Sequence, residues 1–204
     1  MSSSPPRRSA DASDPVVRAA ELAQLFCSPL HGFGGFRAAV AAEVPQPHRG
    51  LLDHSSHMTV AMERFHGGPV ALRVVATADG TAADPTAYSR EIQLIGPAGT
   101  VVQHGIVRLD LRHVNDDVAA AIRAARVPLG RILIDAGLLR DVQRVQLLEV
   151  SPGPHLAALF AGAARSRPIE TAQPVGRTFG RVAEISLDGR PAVELLEIVA
   201  PAAG

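Results

Sequence analysis

Charged residues set inside apolar strands are the part of this sequence best suited to chemistry. Arg90 begins the run Arg90-Glu91-Ile92-Gln93-Leu94, two residues after the single tyrosine, Tyr88. Side chains on a strand alternate between faces, so Arg90, Ile92 and Leu94 share one face and Glu91 and Gln93 the other. An arginine grouped with aliphatic residues has two outlets. It lies at the rim of the sheet with its stem over the core, or it pairs with an anion in a pocket. The second outlet is a carboxylate site with aliphatic walls, and a planar guanidinium suits it because it can donate two parallel hydrogen bonds. Near the C-terminus, Glu194 and Glu197 interrupt the apolar run Ala192 to Val199. Residues three apart on a regular strand face opposite sides, so one of these acids is expected to be buried and the other solvated.

The other reactive residue types form weaker patterns. His54 and His57, with His66 nearby, have a spacing at which two histidines on a helix share a metal, but the H-E-x-x-H order is absent. They read as solvated or capping side chains. Ser55 and Ser56 sit beside them without a G-x-S-x-G elbow, which argues against a serine hydrolase. The lone cysteine, Cys27, excludes an internal disulfide and a multi-cysteine metal site, and reads as a small buried residue. All 20 basic residues are arginine. With no lysine there is no Schiff base, no covalent pyridoxal link and no P-loop lysine. The 20 acidic residues balance the charge, which argues against wholesale nucleic-acid binding.

The elements that must position these residues follow from the texture of the 204-residue chain. Residues 1–14 are rich in Ser, Pro, Arg and Asp and lack the apolar stretch of a signal peptide, so they read as a disordered tail of a cytoplasmic protein. No apolar run approaches a membrane span. Residues 15–204 read as one domain. A helix is expected from Pro15 to Leu25, a glycine-rich loop from Cys27 to Phe36, and a short helix from Phe36 to Val44. Within Leu51 to Gly67, Asp53 or Ser55 is expected to cap a helix on which Met58, Met62 and Phe65 share a face. Strands follow over 70–78, 89–96 and 100–111, separated by turns at Asp79-Gly80 and Gly96 to Gly99. Asn115 to Ala125 reads as a helix, Pro128-Leu129-Gly130 opens a second over Arg131 to Asp135, and Arg140 to Glu149 is a strand. Ser151 to Pro174 is partly helical. A closing hairpin runs from Phe179 to Leu187, turns at Asp188-Gly189 and returns from Ala192 to Val199. About six strands joined mostly by hairpins imply an α+β fold with a single antiparallel sheet, with helices expected on one face.

Four segments, in order, resemble the chorismate lyase (chorismate pyruvate-lyase) family. Leu51 to Phe65 is similar to its S-M-T-x-x-x-E helix, with His57 in place of the serine. Ser89 to Leu94 resembles its R-E-(I/V)-x-L strand, Val127 to Leu133 its P-L-G-R turn, and Phe179 to Pro201 its closing W-G-R…G-K-P…E-L-F-x-P hairpin. The resemblance implies an antiparallel sheet with helices packed on it and a pocket sealed by helical flaps. It implies that Arg90 binds a ring carboxylate, that backbone groups at Met58 and Leu129 hold the ligand, with Ile92 on the wall, and that a last-strand glutamate meets the ring hydroxyl. Alignment on Gly189-Arg190-Pro191 puts that glutamate's place at Leu196, whereas alignment on Pro201 puts it at Glu197. A one-residue bulge reconciles the two and makes Glu197 the expected catalytic acid; the alternative is Glu194, which without the bulge faces the expected side. Residues 140–177 exceed the link expected there, and the first fifty residues have no counterpart in the family.

The implied activity is elimination of pyruvate from chorismate to give 4-hydroxybenzoate, or the same chemistry on a related cyclic carboxylate, with no metal or organic cofactor. The alternative is a stand-alone sensing domain of the same fold that binds an aromatic carboxylate without catalysis. Related regulators carry an N-terminal winged helix, for which the first fifty residues are too short. Either way the expected partner is a small molecule rather than nucleic acid or membrane, and the protein is a monomer or homodimer.

Overall fold

The structure is a computed structural model that describes residues 14–81, 84–138, 142–162, 176–187 and 190–201. The expected tail up to residue 13, the Asp188-Gly189 turn and most of the expected partly helical stretch after residue 162 lie outside the described residues. Helix α1 spans Pro15–Gln24, and strand β1 Gly34–Ala39. Helices α2 (His48–Leu52) and α3 (Met58–His66) precede strands β2 (Ala71–Thr81), β3 (Asp84–Ile95) and β4 (Val101–Asp110). Helices α4 (Asp116–Ala124) and α5 (Leu129–Asp135) follow. The chain then forms β5 (Val142–Pro152), α6 (Pro154–Phe160), β6 (Thr178–Leu187) and β7 (Arg190–Val199).

All seven strands lie in one antiparallel sheet of order β1-β5-β6-β7-β4-β3-β2. The fold is α+β. The strand beyond the expected six is β1, where a helix was expected from Phe36. Gly34 sits at φ 144° against the backbone of Ser151 and Gly153, where any side chain would collide. Only glycine allows the chain to enter the sheet edge there.

Helices cover both faces rather than one. Ile106, Leu148, Val150, Val182, Leu196 and Ile198 pack with Ala19, Leu22 and Ala23 of α1 and Leu156 of α6. On the other face Val107, Leu109, Ala183, Ile185 and Leu195 meet Val118 and Ile122 of α4 and Leu129 and Leu133 of α5. Beside them Leu51, Leu52, Met58 and Met62 from α2 and α3 pack on Ile92, Leu94, Leu147 and Val199. Caps fix two of the helices. The Asp14 carboxylate accepts from the Val16 N–H at 2.8 Å with Pro15 in the first turn, and Asn115 accepts from Val118 N–H at 2.9 Å. Each cap is worth about 1 kcal/mol.

Helix α3 starts later than expected. Its N-cap is His57, which makes no side-chain cap bond, not Asp53 or Ser55. The reason lies across the sheet. Arg181 of β6 donates to the carbonyls of Leu52, His54 and Ser56, which holds residues 53–57 as a loop. Met58 and Met62 are buried as expected, but Phe65 is 51% exposed and stacks edge-on against His66.

Candidate functional site

The cavity that gathers these side chains lies between the sheet and helices α3 and α5. Its floor follows from strand register. Across β3 and β4, Arg90 opposes Val107, Ile92 opposes Gly105 and Leu94 opposes Gln103. Across β4 and β7, Val107 opposes Leu195, Gly105 opposes Glu197 and Gln103 opposes Val199. Glu197 in turn opposes Arg181 on β6. All these residues share one face by alternation. Gly105 at the centre carries no side chain, and the side chains of Ile92 and Gln103 lean over it, so that Arg90, Ile92, Gln103, Glu197 and Leu195 gather around this point.

Met58 and Leu129 close the cavity from above, and Arg90, Ile92, Gln103, Arg181 and Glu197 line it below. Met58 and Leu129 are each the first residue of a helix, where backbone N–H groups lack an intrahelical acceptor and the helix dipole favours negative charge. The cover is tied together by an ion pair between Arg131 of α5 and Glu63 of α3 at 3.5 Å. The enclosed space is about 50 Å³. That is room for about one or two waters and well short of the roughly 150 Å³ known to admit benzene. A ring-sized guest therefore requires α3 and α5 to move apart.

Arg90 dominates the electrostatics. It is 0% exposed, and none of its three guanidinium nitrogens has a hydrogen-bond partner. Burial pushes its pKa below the ordinary arginine value, opposed by the nearby Tyr88 phenol. Tyr88 is also buried, its hydroxyl is unpartnered, and burial pushes its pKa up. The rim placement considered for Arg90 is not what the fold adopts.

Glu197 and Glu194 fall on opposite faces, as their spacing required. Glu197 opens onto the cavity and accepts from Arg181 Nε at 2.7 Å. Glu194 points to the α1 side and accepts from Arg108 Nε at 2.6 Å, with a third of its side chain exposed. The pairing of β4 with β7 is unbroken from Val199 back to Val193. The bulge sits nearer the hairpin: Ile185 pairs with Val193 but Ser186 with Pro191, so Ala192 is the inserted residue. That single insertion accounts for the one-residue offset between the two alignments of the closing hairpin.

Three groups escaped the sequence reading. Arg181 is fully buried and ties Glu197 to the loop before α3. Its signal was available, since it shares a strand face with Ala183 and Ile185. Gln103 reaches the cavity from β4 with its Oε1 buried and unpartnered. On the opposite face, Glu91 Oε1 lies 3.1 Å from His104 Nε2 and 2.8 Å from His155 Nε2. Burial would raise the Glu91 pKa, but these two hydrogen bonds overcome it and hold the pKa at about 2. His54 sits 3.3 Å from Arg181, and burial together with that charge lowers its pKa. Among the described residues no group of three His, Cys, Asp or Glu is arranged to hold a metal ion. No described helix is long and apolar enough to cross a membrane.

No family model matches the chain, and no curated protein matches it. Three solved structures are similar to parts of it. One, described as the ligand-binding domain of a GntR-family transcriptional regulator from Bordetella bronchiseptica, superimposes with a TM-score of 0.46 at 14% identity, covering 64% of this chain and 85% of that one. PhnF from Mycobacterium smegmatis gives 0.49 at 16% identity, covering 71% of this chain and 64% of that one. The effector domain of PhnF gives 0.45 at 18% identity, covering 71% and 88%. Likeness at this level carries no functional assignment.

Proposed function

We propose that this chain binds a small cyclic carboxylate in the cavity under α3 and α5, with the carboxylate on Arg90. One observation carries the reading: a guanidinium without solvent and without a hydrogen-bond partner lines a cavity whose other cation, Arg181, is already paired with Glu197. Burying an unpaired charge costs several kcal/mol, and a carboxylate returns that cost through two parallel charge-assisted hydrogen bonds. The N-terminus of α3 at Met58, which lines the same cavity, adds donors for an anion. The binding reading covers a sensor as well as an enzyme.

A second reading, elimination of pyruvate from chorismate, is favoured by Glu197. It opens onto the same cavity as Arg90, Met58 and Leu129, the set that the family resemblance names. In this reaction a proton leaves C4 of the ring and the C3–O bond breaks. The electron pair of the C4–H bond closes the new ring double bond. The enolpyruvyl group departs through its oxygen as an enolate, whose methylene carbon takes up a proton to give pyruvate. Aromatisation supplies the driving force, so the chain has to orient the ring and manage one proton. Glu197, held by Arg181, accepts the C4 proton or orients the C4 hydroxyl.

One preparation tests both readings. The protein is melted with and without 4-hydroxybenzoate, and separately incubated with chorismate while 4-hydroxybenzoate and pyruvate are followed by absorbance and chromatography. Thermal protection is expected from the binding reading and product from the lyase reading. Protection without product leaves a binding module. Neither response sinks both.

A further inference from the structure

Gln103 is a buried polar side chain of the cavity that neither carboxylate binding nor elimination uses. It is 2% exposed, lines the same space as Arg90 and Glu197, and its Oε1 is buried with no hydrogen-bond partner. An amide oxygen left unpaired in a dry site is destabilising, and native interiors rarely tolerate one without a use for it.

Its place in the grid says what it faces. Along β4, Val107 lies beside Arg90, Gly105 comes next on the same face, and Gln103 follows at the far end. Glu197 flanks Gly105 from β7. A Cβ on Gly105 would stand 3.7 Å from Gln103 Nε2 and 3.3 Å from Ile92 Cγ1, so both side chains lean over the glycine toward the cavity they line. A cyclic acid with its carboxylate on Arg90 that extends along this row meets Glu197 to the side and Gln103 beyond it.

We propose that Gln103 makes this pocket selective for cyclic carboxylates carrying two neighbouring hydroxyls on the edge away from the carboxylate, one meeting Glu197 and the other Gln103. The proposal rests on the carboxylate reading of the pocket. A hydroxyl is the matching group because it both donates and accepts, which satisfies the amide in either orientation of its end. A site built to hydrogen-bond a hydroxyl discriminates strongly against the analogue that lacks it, whereas an aliphatic site does not.

Calorimetric titration of the full chain with 4-hydroxybenzoate and with 3,4-dihydroxybenzoate tests this. The wild-type protein is expected to bind the dihydroxy acid about tenfold more tightly, or better. Gln103→Leu is expected to bind the two acids within about twofold of each other. If Gln103→Leu does not fold, Gln103→Met keeps the length of the side chain without the amide and gives the same readout. Equal affinities in the wild type, or a preference that survives in the variant, overturn the role of Gln103 and leave the carboxylate pocket standing. Failure of the wild type to bind either acid overturns the carboxylate reading, and the selectivity falls with it.

Discussion

Two carboxylates three positions apart on one strand carry opposite duties. Glu197 looks into the cavity and is held by Arg181, while Glu194 meets Arg108 on the α1 side, partly in solvent. Glu197→Gln is therefore expected to weaken binding of 4-hydroxybenzoate about tenfold, because a hydrogen bond to a charged acceptor is exchanged for a neutral one. Glu194→Gln removes an exposed ion pair and is expected to leave affinity within about twofold, with less than about 1 kcal/mol lost in stability. Equal effects in the two titrations would contradict the assignment of faces. Alternation alone made the opposition of these residues legible in the sequence. Which acid took the inner face was not legible, because it depends on the bulge at Ala192, and nothing local marks that residue as inserted. Arg90 was legible as one of two outcomes. Burial decided between them, and burial depends on helices far away in sequence.

At the scale of elements, the R-E pair of β3 serves both faces of the sheet. Arg90 enters the cavity, and Glu91 anchors α6 through His155 and β4 through His104. Burial favours neutral His104, as expected for a ring packed among Phe33 and Phe160 whose Nδ1 has no partner. The pH dependence follows from these two shifts. Glu91 has its pKa depressed from 4.5 to about 2 in the fold, so its contribution is complete above 4.5 and disappears as pH falls toward 2. His104 has its pKa lowered from 6.5, so the unfolded chain binds a proton that the folded chain refuses, and destabilisation begins below 6.5. Glu91→Gln is expected to cost about 2 kcal/mol in urea unfolding at pH 7. That gap should narrow as pH falls from 4.5 to 2, and a gap independent of pH would refute the account. None of this network was visible in the sequence. Its members lie on β3, β4 and α6, and nothing in their local patterns brings them together.

For the whole molecule, the antiparallel sheet was legible because its strands alternate and the turn from Gly96 to Gly99 stands where expected, although Asp79 and Gly80, expected as a turn, lie inside β2, which runs on to Thr81. Two-sided helical cover was missed, although the signal existed. The run Ala192 to Val199 is apolar on both faces apart from its two glutamates, which is the pattern of a strand covered twice. The covering helices isolate Arg90 from water, so a protein with no net charge keeps a buried guanidinium without a hydrogen-bond partner in its interior. Melting wild-type protein and Arg90→Met, each with and without saturating 4-hydroxybenzoate, tests that arrangement most directly. Replacing an unpaired buried charge by an apolar side chain of similar length is expected to leave the free protein at least as stable, by up to a few kcal/mol. The ligand should raise the midpoint of the wild type only, by the equivalent of about 3 kcal/mol at a hundredfold excess over its dissociation constant. A destabilised Arg90→Met that still gains the full ligand-induced shift would contradict Arg90 as the carboxylate anchor.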